Sequence, residues 1–213
     1  MSNTQANDKK ASEKKAVGIV LGGINQAGKT TLAKAFSNQP FDSDYTQTVT
    51  EADYDTEMTV GATPYNFCFY DANGDAFEDL KSTGFATSHF GKAPIHIYCV
   101  NAEEEESADV LTSYFRSFGV ESFRVHYQII VVTHTDVGNK DDCLKRIRSF
   151  AERTPVWDAN LMDPKDVEDL KDKFSDFLKR AKSEHPELFE GCEGKRGAKK
   201  KKVSQPKKKC ILL

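Results

Sequence analysis

The sequence predicts an α/β fold: a mostly parallel sheet of six strands, one an antiparallel edge strand, in three layers with helices on both faces. Three observations predict it. Compact apolar runs recur along the chain at 16–21, 95–100 and 127–132. Segments with helical periodicity separate them, and a strand–helix–strand succession feeds a parallel sheet covered on both faces. Two further runs, Asp53–Val60 and Thr63–Tyr70, are joined only by Gly61-Ala62, the mark of a hairpin and hence of one antiparallel strand.

The elements are taken in chain order. Ala16-Val17-Gly18-Ile19-Val20-Leu21 reads as the first buried strand, and Thr31–Phe36 as a helix. A polar stretch from about Asn38 to Thr50 leads into the hairpin. Ile95–Val100 is a compact strand, after which Val110, Leu111, Tyr114, Phe115 and Phe118 mark one helical face. Glu103–Glu106 precede that helix and favour its N-terminus and solubility, since acidic side chains complement the positive end of the macrodipole. Tyr127–Val132 is the clearest buried strand, followed by a helix near Asp142–Arg153 burying Leu144, Ile147 and Phe150. A short strand at Val156-Trp157 precedes the last helix, with Asp163 as N-cap, Pro164 in the first turn and a stripe of Val167, Leu170, Phe174, Phe177 and Leu178.

The 213 residues suit one domain with modest tails. Residues 1–14 are polar and poor in core formers, so they are expected to be disordered; 15–185 is the domain, and 186–213 a basic tail, low-complexity from about Gly191. No apolar run approaches the ~20 residues of a membrane span. The N-terminus has no apolar signal core, and Ser2 stands where myristoylation needs glycine. The five cysteines (Cys68, Cys99, Cys143, Cys192, Cys210) have neither disulfide-framework nor zinc spacing; Cys68 and Cys99 sit in apolar runs and read as core thiols of a reducing, cytosolic chain. The nine basic residues after Gly194 carry +9, so the residues before them carry −12 of the total −3. An acidic body argues against nucleic acid as its partner, whereas the tail wants an anionic surface.

Residues 23–30, Gly-Ile-Asn-Gln-Ala-Gly-Lys-Thr, match G-x-x-x-x-G-K-[ST] in full. Gly23 and Gly28 let the backbone turn its N–H groups inward, so the amides of Asn25, Gln26, Ala27, Gly28, Lys29, Thr30 and Thr31 are candidates for phosphate oxygens. Lys29 reaches the β- and γ-phosphates, and the Thr30 hydroxyl ligates Mg²⁺. A strand enters the loop and a helix N-terminus, itself an anion site, leaves it.

A second carboxylate near the metal and a backbone donor for the terminal phosphate are both supplied by Phe67-Cys68-Phe69-Tyr70-Asp71-Ala72-Asn73-Gly74. Asp71, at the end of an apolar strand, suits Mg²⁺ through water, and the Gly74 N–H suits the γ-phosphate. Base recognition is expected after a later strand. Val131-Val132 runs into Thr133-His134-Thr135-Asp136, and Asp136 can accept both the N1–H and N2–H₂ of guanine, a donor pair adenine lacks; a turn-capping aspartate is the alternative role.

With these motifs, Lys15 to Ser183 resembles the Ras superfamily of small GTPases, and the fold it implies is the P-loop small G-protein fold. The resemblance implies GTP or GDP with Mg²⁺ as cofactors, regulatory and effector proteins as partners, and a monomer. It also implies a switch threonine on Mg²⁺ about nineteen residues after the loop lysine. That offset gives Thr48, with Thr50 next in line in a threonine-rich stretch that includes Thr46. An aromatic meeting the guanine edge falls at Phe41.

The chain departs from the family pattern in places. Asn-Lys-x-Asp is Thr133-His134-Thr135-Asp136: Thr133 offers one hydroxyl instead of an amide, and His134 can pack on the base plane without lysine's permanent charge. Asp75 stands where the family has the glutamine that orients attacking water; with Lys29 it is the candidate catalytic residue, and a shorter, negative side chain there should slow hydrolysis. Asn25 occupies a position that is glycine in Ras-like members, where room is left for an arginine finger worth on the order of a thousandfold or more. Arf-like members tolerate a side chain there, so Asp75 is the stronger sign. The base-contacting Ser-Ala-Lys segment is replaced by Asp158-Ala159-Asn160-Leu161, with Asn160 and Leu161 the contact candidates.

Cys210-Ile211-Leu212-Leu213 forms a C-a-a-X box whose final Leu is the form typical of geranylgeranylation by a prenyltransferase. One lipid chain anchors only marginally, and the preceding lysines supply the second signal at about 1 kcal/mol each near an anionic leaflet; a nuclear-import-like lysine tail is the alternative. Ser204 lies between the lysine clusters, where phosphorylation would loosen membrane contact, while Cys192 reads as an ordinary thiol. The expected protein is a membrane-anchored guanine-nucleotide switch at the cytoplasmic face of a membrane, in signalling or trafficking, with slow or partner-dependent hydrolysis. The alternatives are a pseudo-GTPase, prenylated, with permanent or no nucleotide, and more remotely a kinase built on the same loop.

Overall fold

A computed structural model of the protein describes residues 15–40, 52–75, 93–118 and 127–194. Six strands, β1 (Val17–Gly22), β2 (Ala52–Val60), β3 (Thr63–Asp71), β4 (Ile95–Asn101), β5 (Tyr127–Thr133) and β6 (Val156–Asp158), form one sheet in the order β2-β3-β1-β4-β5-β6. All neighbours are parallel except β2 and β3, which pair antiparallel through the Gly61-Ala62 turn. Among the described residues four helices pack on it: α1 (Lys29–Phe36), α2 (Glu105–Phe118), α3 (Lys140–Arg148) and α4 (Pro164–Glu184). None of them is long and apolar enough to cross a membrane.

Strand composition follows sheet position. β1 and β4 are buried along their whole length, covered on both faces, and so read as continuous apolar runs. β2 lies at the edge and alternates, with Asp53, Asp55, Glu57 and Thr59 exposed and Tyr54, Thr56 and Met58 half-buried on the other face. One layer of the core is aromatic: Phe36 meets Phe69 at 5.5 Å and the edge of Phe174 at 5.1 Å, and Phe174 stacks on Phe177. On the opposite face Tyr98 packs against Tyr114 and Phe115 of α2, and Phe115 against Phe150. The α4 stripe is as expected: Leu170, Phe174, Phe177 and Leu178 are buried, and the Asp163 carboxylate accepts the Lys165 N–H as an N-cap does.

Two boundaries differ from the sequence pattern. Periodicity carries the third helix from Asp142 to Arg153, but α3 runs from Lys140 to Arg148. Ser149 donates its hydroxyl to the Arg146 carbonyl at 2.6 Å, and the Ser149 and Phe150 N–H groups also reach the i−3 carbonyls of Arg146 and Ile147, so the last turn closes early. Phe150 still packs on Phe115 from that turn.

The second difference is the start of the tail, set at 186 by composition with a linker from Gly191. The chain instead stays on the domain through Gly194. A 3-10 turn (Pro186–Leu188) seats Phe189 against Tyr65 and Phe67, and Phe189 and Cys192 are 2% and 1% exposed. The Asn66 N–H donates to the Cys192 carbonyl at 2.7 Å and the Gly194 N–H to the Pro64 carbonyl at 2.8 Å. The reason lies in register: β1 begins at Val17 opposite Phe67, which leaves the first residues of β3 unpaired on that side, and residues 192–194 take that place. Lys15 adds a bond from its ammonium to the Glu190 carbonyl at 2.6 Å.

Candidate functional site

The loop after β1 lies at the C-terminal ends of the parallel strands, where α/β sheets build their sites. Its glycines are there for room. Gly23 has φ 137°, and a Cβ would drive into the Cys99 carbonyl oxygen. Gly28, at φ 82°, would bring a Cβ to 3.2 Å from the Thr133 methyl and 3.3 Å from Leu161 Cδ1. Gln26 between them also sits at positive φ, 59°, so the loop coils tightly and turns its amides to one side. Gly28 caps α1 without a side chain, leaving the first N–H groups of the helix for an anion.

Lys29 is buried, and its ammonium donates to the carbonyls of Gly23 at 2.9 Å and Ile24 at 2.7 Å. The cation is thus tied to the loop it serves. One residue on, the Thr30 hydroxyl donates to the Asp71 carboxylate at 2.5 Å. Asp71 is fully buried at the end of β3, in register with Leu21 of β1. A hydroxyl and a carboxylate held together are hard oxygen donors of the kind Mg²⁺ takes, so the residues present fit that ion. Cys99 lies beside this group, but burial pushes its thiol up to about 12, with Lys29 and Asp71 acting in opposite senses. It is a core thiol, not a nucleophile, and so is Cys68, raised to about 12 chiefly by burial.

Past Asp71 the chain turns back toward the loop. The Asp75 N–H donates to Asn73 Oδ1 at 3.0 Å, and the Asn25 side-chain amide donates to the Asp75 carboxylate. Gly74 is seated so closely that a Cβ would overlap the Asn25 backbone nitrogen and Oδ1.

At the end of β5, Thr133 is buried with its Oγ1 3.1 Å from the Ala27 carbonyl and 3.2 Å from that of Val100. His134 Nδ1 is 2.9 Å from the same oxygen, and its backbone takes φ 54°. Thr133 therefore ties β5 to the phosphate loop instead of presenting a free hydroxyl. Asp136 is exposed on the next turn, which the Gly138 N–H closes on the His134 carbonyl at 3.0 Å.

In the segment after β6, the Ala159 N–H bonds the Val132 carbonyl and Leu161 is buried beside Gly28. Asn160 is engaged locally: its N–H donates to Asp166 at 2.9 Å and its Oδ1 accepts the Met162 N–H at 2.9 Å. Asp158 pairs with Lys140 at 3.1 Å, and that carboxylate raises the lysine's pKa.

The structure thus gathers residues 23–31, 71–75, 133–134 and 160–161 around one loop, with Asp136 just beyond. Phe41, Thr46, Thr48, Thr50, Ser204 and Cys210 lie outside the described residues. Sequence reasoning missed the Asn25–Asp75 bond, the role of Asp166 in holding Asn160, and the packing of Leu161 on Gly28. Only Asp166 had a signal, as an acid in the first turn of α4.

Compared with known proteins, the Ras family model matches residues 18–173. Among curated proteins no relative matches the chain.

Proposed function

The chain belongs to the Ras family, and from that premise we propose a Mg²⁺-dependent guanine-nucleotide switch that hydrolyses GTP slowly and is held at the cytoplasmic face of a membrane. The observation that carries the reading is the Lys29–Thr30–Asp71 group. A buried cation tied to the loop carbonyls stands next to a hydroxyl–carboxylate pair at 2.5 Å. Lys29 offsets phosphate charge, Thr30 and Asp71 hold the metal side of the pocket, and the loop amides orient the phosphates. Mg²⁺, when bound, supplies neutralisation of the charge that develops between the terminal phosphates. Asp136 selects guanine by accepting two N–H donors.

Slow turnover is supported by Asp75, whose carboxylate bonds Asn25 where the family's glutamine would orient water. Regulators and effectors are the partners such a switch requires. Membrane attachment rests on Cys210 with the lysines of the tail, in a signalling or trafficking role.

The test is the nucleotide bound to the purified chain and its fate. Guanine nucleotide is expected, released by a chelator, with single-turnover GTP hydrolysis below about 10⁻⁴ s⁻¹, slower than glutamine-bearing members. Tighter binding of ATP than GTP would overturn the assignment. A second reading, an interaction module without turnover, is favoured by the same Asn25–Asp75 bond, and a chain purified free of nucleotide would support it.

A further inference from the structure

Asn25, which departs from the Ras-like glycine, and Asp75, which departs from the family's glutamine, are fifty positions apart in the chain, and they meet. The Asn25 side-chain amide donates to the Asp75 carboxylate, while the Asn25 backbone nitrogen and Oδ1 fill the space over Gly74. Asn73 adds an Asx-type turn by accepting the Asp75 N–H at 3.0 Å. Residues 73–75 are therefore fastened to the phosphate loop by side chains of the protein itself. In a switch of this family, as the resemblance implies, the terminal phosphate draws the Gly74 N–H inward and its loss releases the segment. An amide-to-carboxylate bond involves neither phosphate nor metal, and charge-assisted bonds of this kind are the strong ones.

We propose that Asn25 is a positioning residue whose bond to Asp75 holds residues 73–75 on the phosphate loop in the GDP-bound and GTP-bound chain alike. Residues 73–75 then no longer report the terminal phosphate, and whatever the chain signals must be carried by other segments. The bond also explains the pairing of the two departures. A carboxylate beside a triphosphate is repelled unless a donor holds it, and an amide at position 25 is that donor. This inference rests on the guanine-nucleotide reading of the pocket.

Hydrogen exchange of the backbone amides at 72–75, measured on the full chain with GDP and with a non-hydrolysable GTP analogue, tests it. The native chain should show equal protection in the two states. Asn25→Ala should exchange about tenfold faster with GDP, the factor expected for one lost hydrogen bond, and remain protected with the analogue. Asp75→Ala removes the acceptor from the other side and should behave alike, the double variant no worse than either. Asp75→Asn keeps an acceptor oxygen and should keep the protection, which a merely electrostatic effect of the carboxylate would not. State-dependent protection in the native chain, or unchanged exchange in Asn25→Ala with GDP, overturns the proposal. If the chain takes up no guanine nucleotide, the reading of the pocket fails, and the Asn25→Ala comparison on the protein as purified still decides whether the bond holds the segment.

Discussion

Thr30 donates its hydroxyl to Asp71 at 2.5 Å, joining the first turn of α1 to the end of β3. The bond crosses from the phosphate loop to the neighbouring strand, so the two oxygen donors of the site are set by the register of β1 on β3, in which Leu21 faces Asp71. Geometry at the pocket is thereby a consequence of sheet pairing.

Thr30→Ala should weaken Mg²⁺-dependent nucleotide binding by at least tenfold and remove its dependence on chelator. It should also cost about 1–3 kcal/mol of stability, because a fully buried carboxylate loses a donor. Nucleotide release with and without a chelator, together with denaturant unfolding, reads both effects.

Thr133→Val preserves shape and deletes the hydroxyl that lies within 3.1–3.2 Å of the Ala27 and Val100 carbonyls. The expected loss is about 1 kcal/mol, with faster nucleotide release as the loop loosens from β5. Equal release rates in native and variant protein would show that Thr133 does not restrain the loop.

Phe174→Ala should destabilise the domain by about 3–5 kcal/mol, since the ring is fully buried among Phe36, Phe69, Trp157 and Phe177. Thermal unfolding would record a fall of many degrees, with the nucleotide preference of the surviving folded protein unchanged.

The Cys99 thiol is raised from an ordinary 9.0 to about 12, mainly by burial. The unfolded chain therefore ionises this group first as pH rises. Its contribution is fully present below pH 9.0 and is lost between there and about 12, at about 1.4 kcal/mol per pH unit. Comparing native and Cys99→Ala unfolding across that range should show a shallower alkaline decline in the variant. At neutral pH a thiol reagent should label Cys99 only after denaturant is added.

A chain ending at Leu188 should be less stable by about 2–4 kcal/mol, because it exposes the face of Tyr65 and Phe67 that Phe189 covers and leaves the Asn66 N–H without its carbonyl. A chain ending after Gly194 should unfold at the same denaturant concentration as the full protein.

Much of this was legible in the sequence because local rules and global fold agree. Asp163-Pro164 announces α4, and the stripe from Leu170 to Leu178 is what the sheet buries. The phosphate loop was legible because each fixed residue answers a steric or charge requirement, as the overlap of a Gly23 Cβ with the Cys99 carbonyl makes plain. What escaped were relationships between distant positions. Asn25 and Asp75 each read as a lone departure, since no periodicity links residues in two loops. Residues 192–194 are too few to show strand alternation, and their place depends on β1 starting opposite Phe67. Thr133 looked like a weakened base contact because sequence does not tell which way a hydroxyl turns.

Residues 192–194 also show how far apart two features of the domain lie. Gly194 bonds to Pro64 at one end of β3, and Asp71 lies at the other, seven positions on, about 23 Å at strand rise. Gly194, the last described residue, thus sits at the end of β3 opposite Asp71 and the phosphate loop. The seam that closes the domain and the mouth that would take a nucleotide therefore lie at opposite ends of one strand, so a change at the first need not disturb the second.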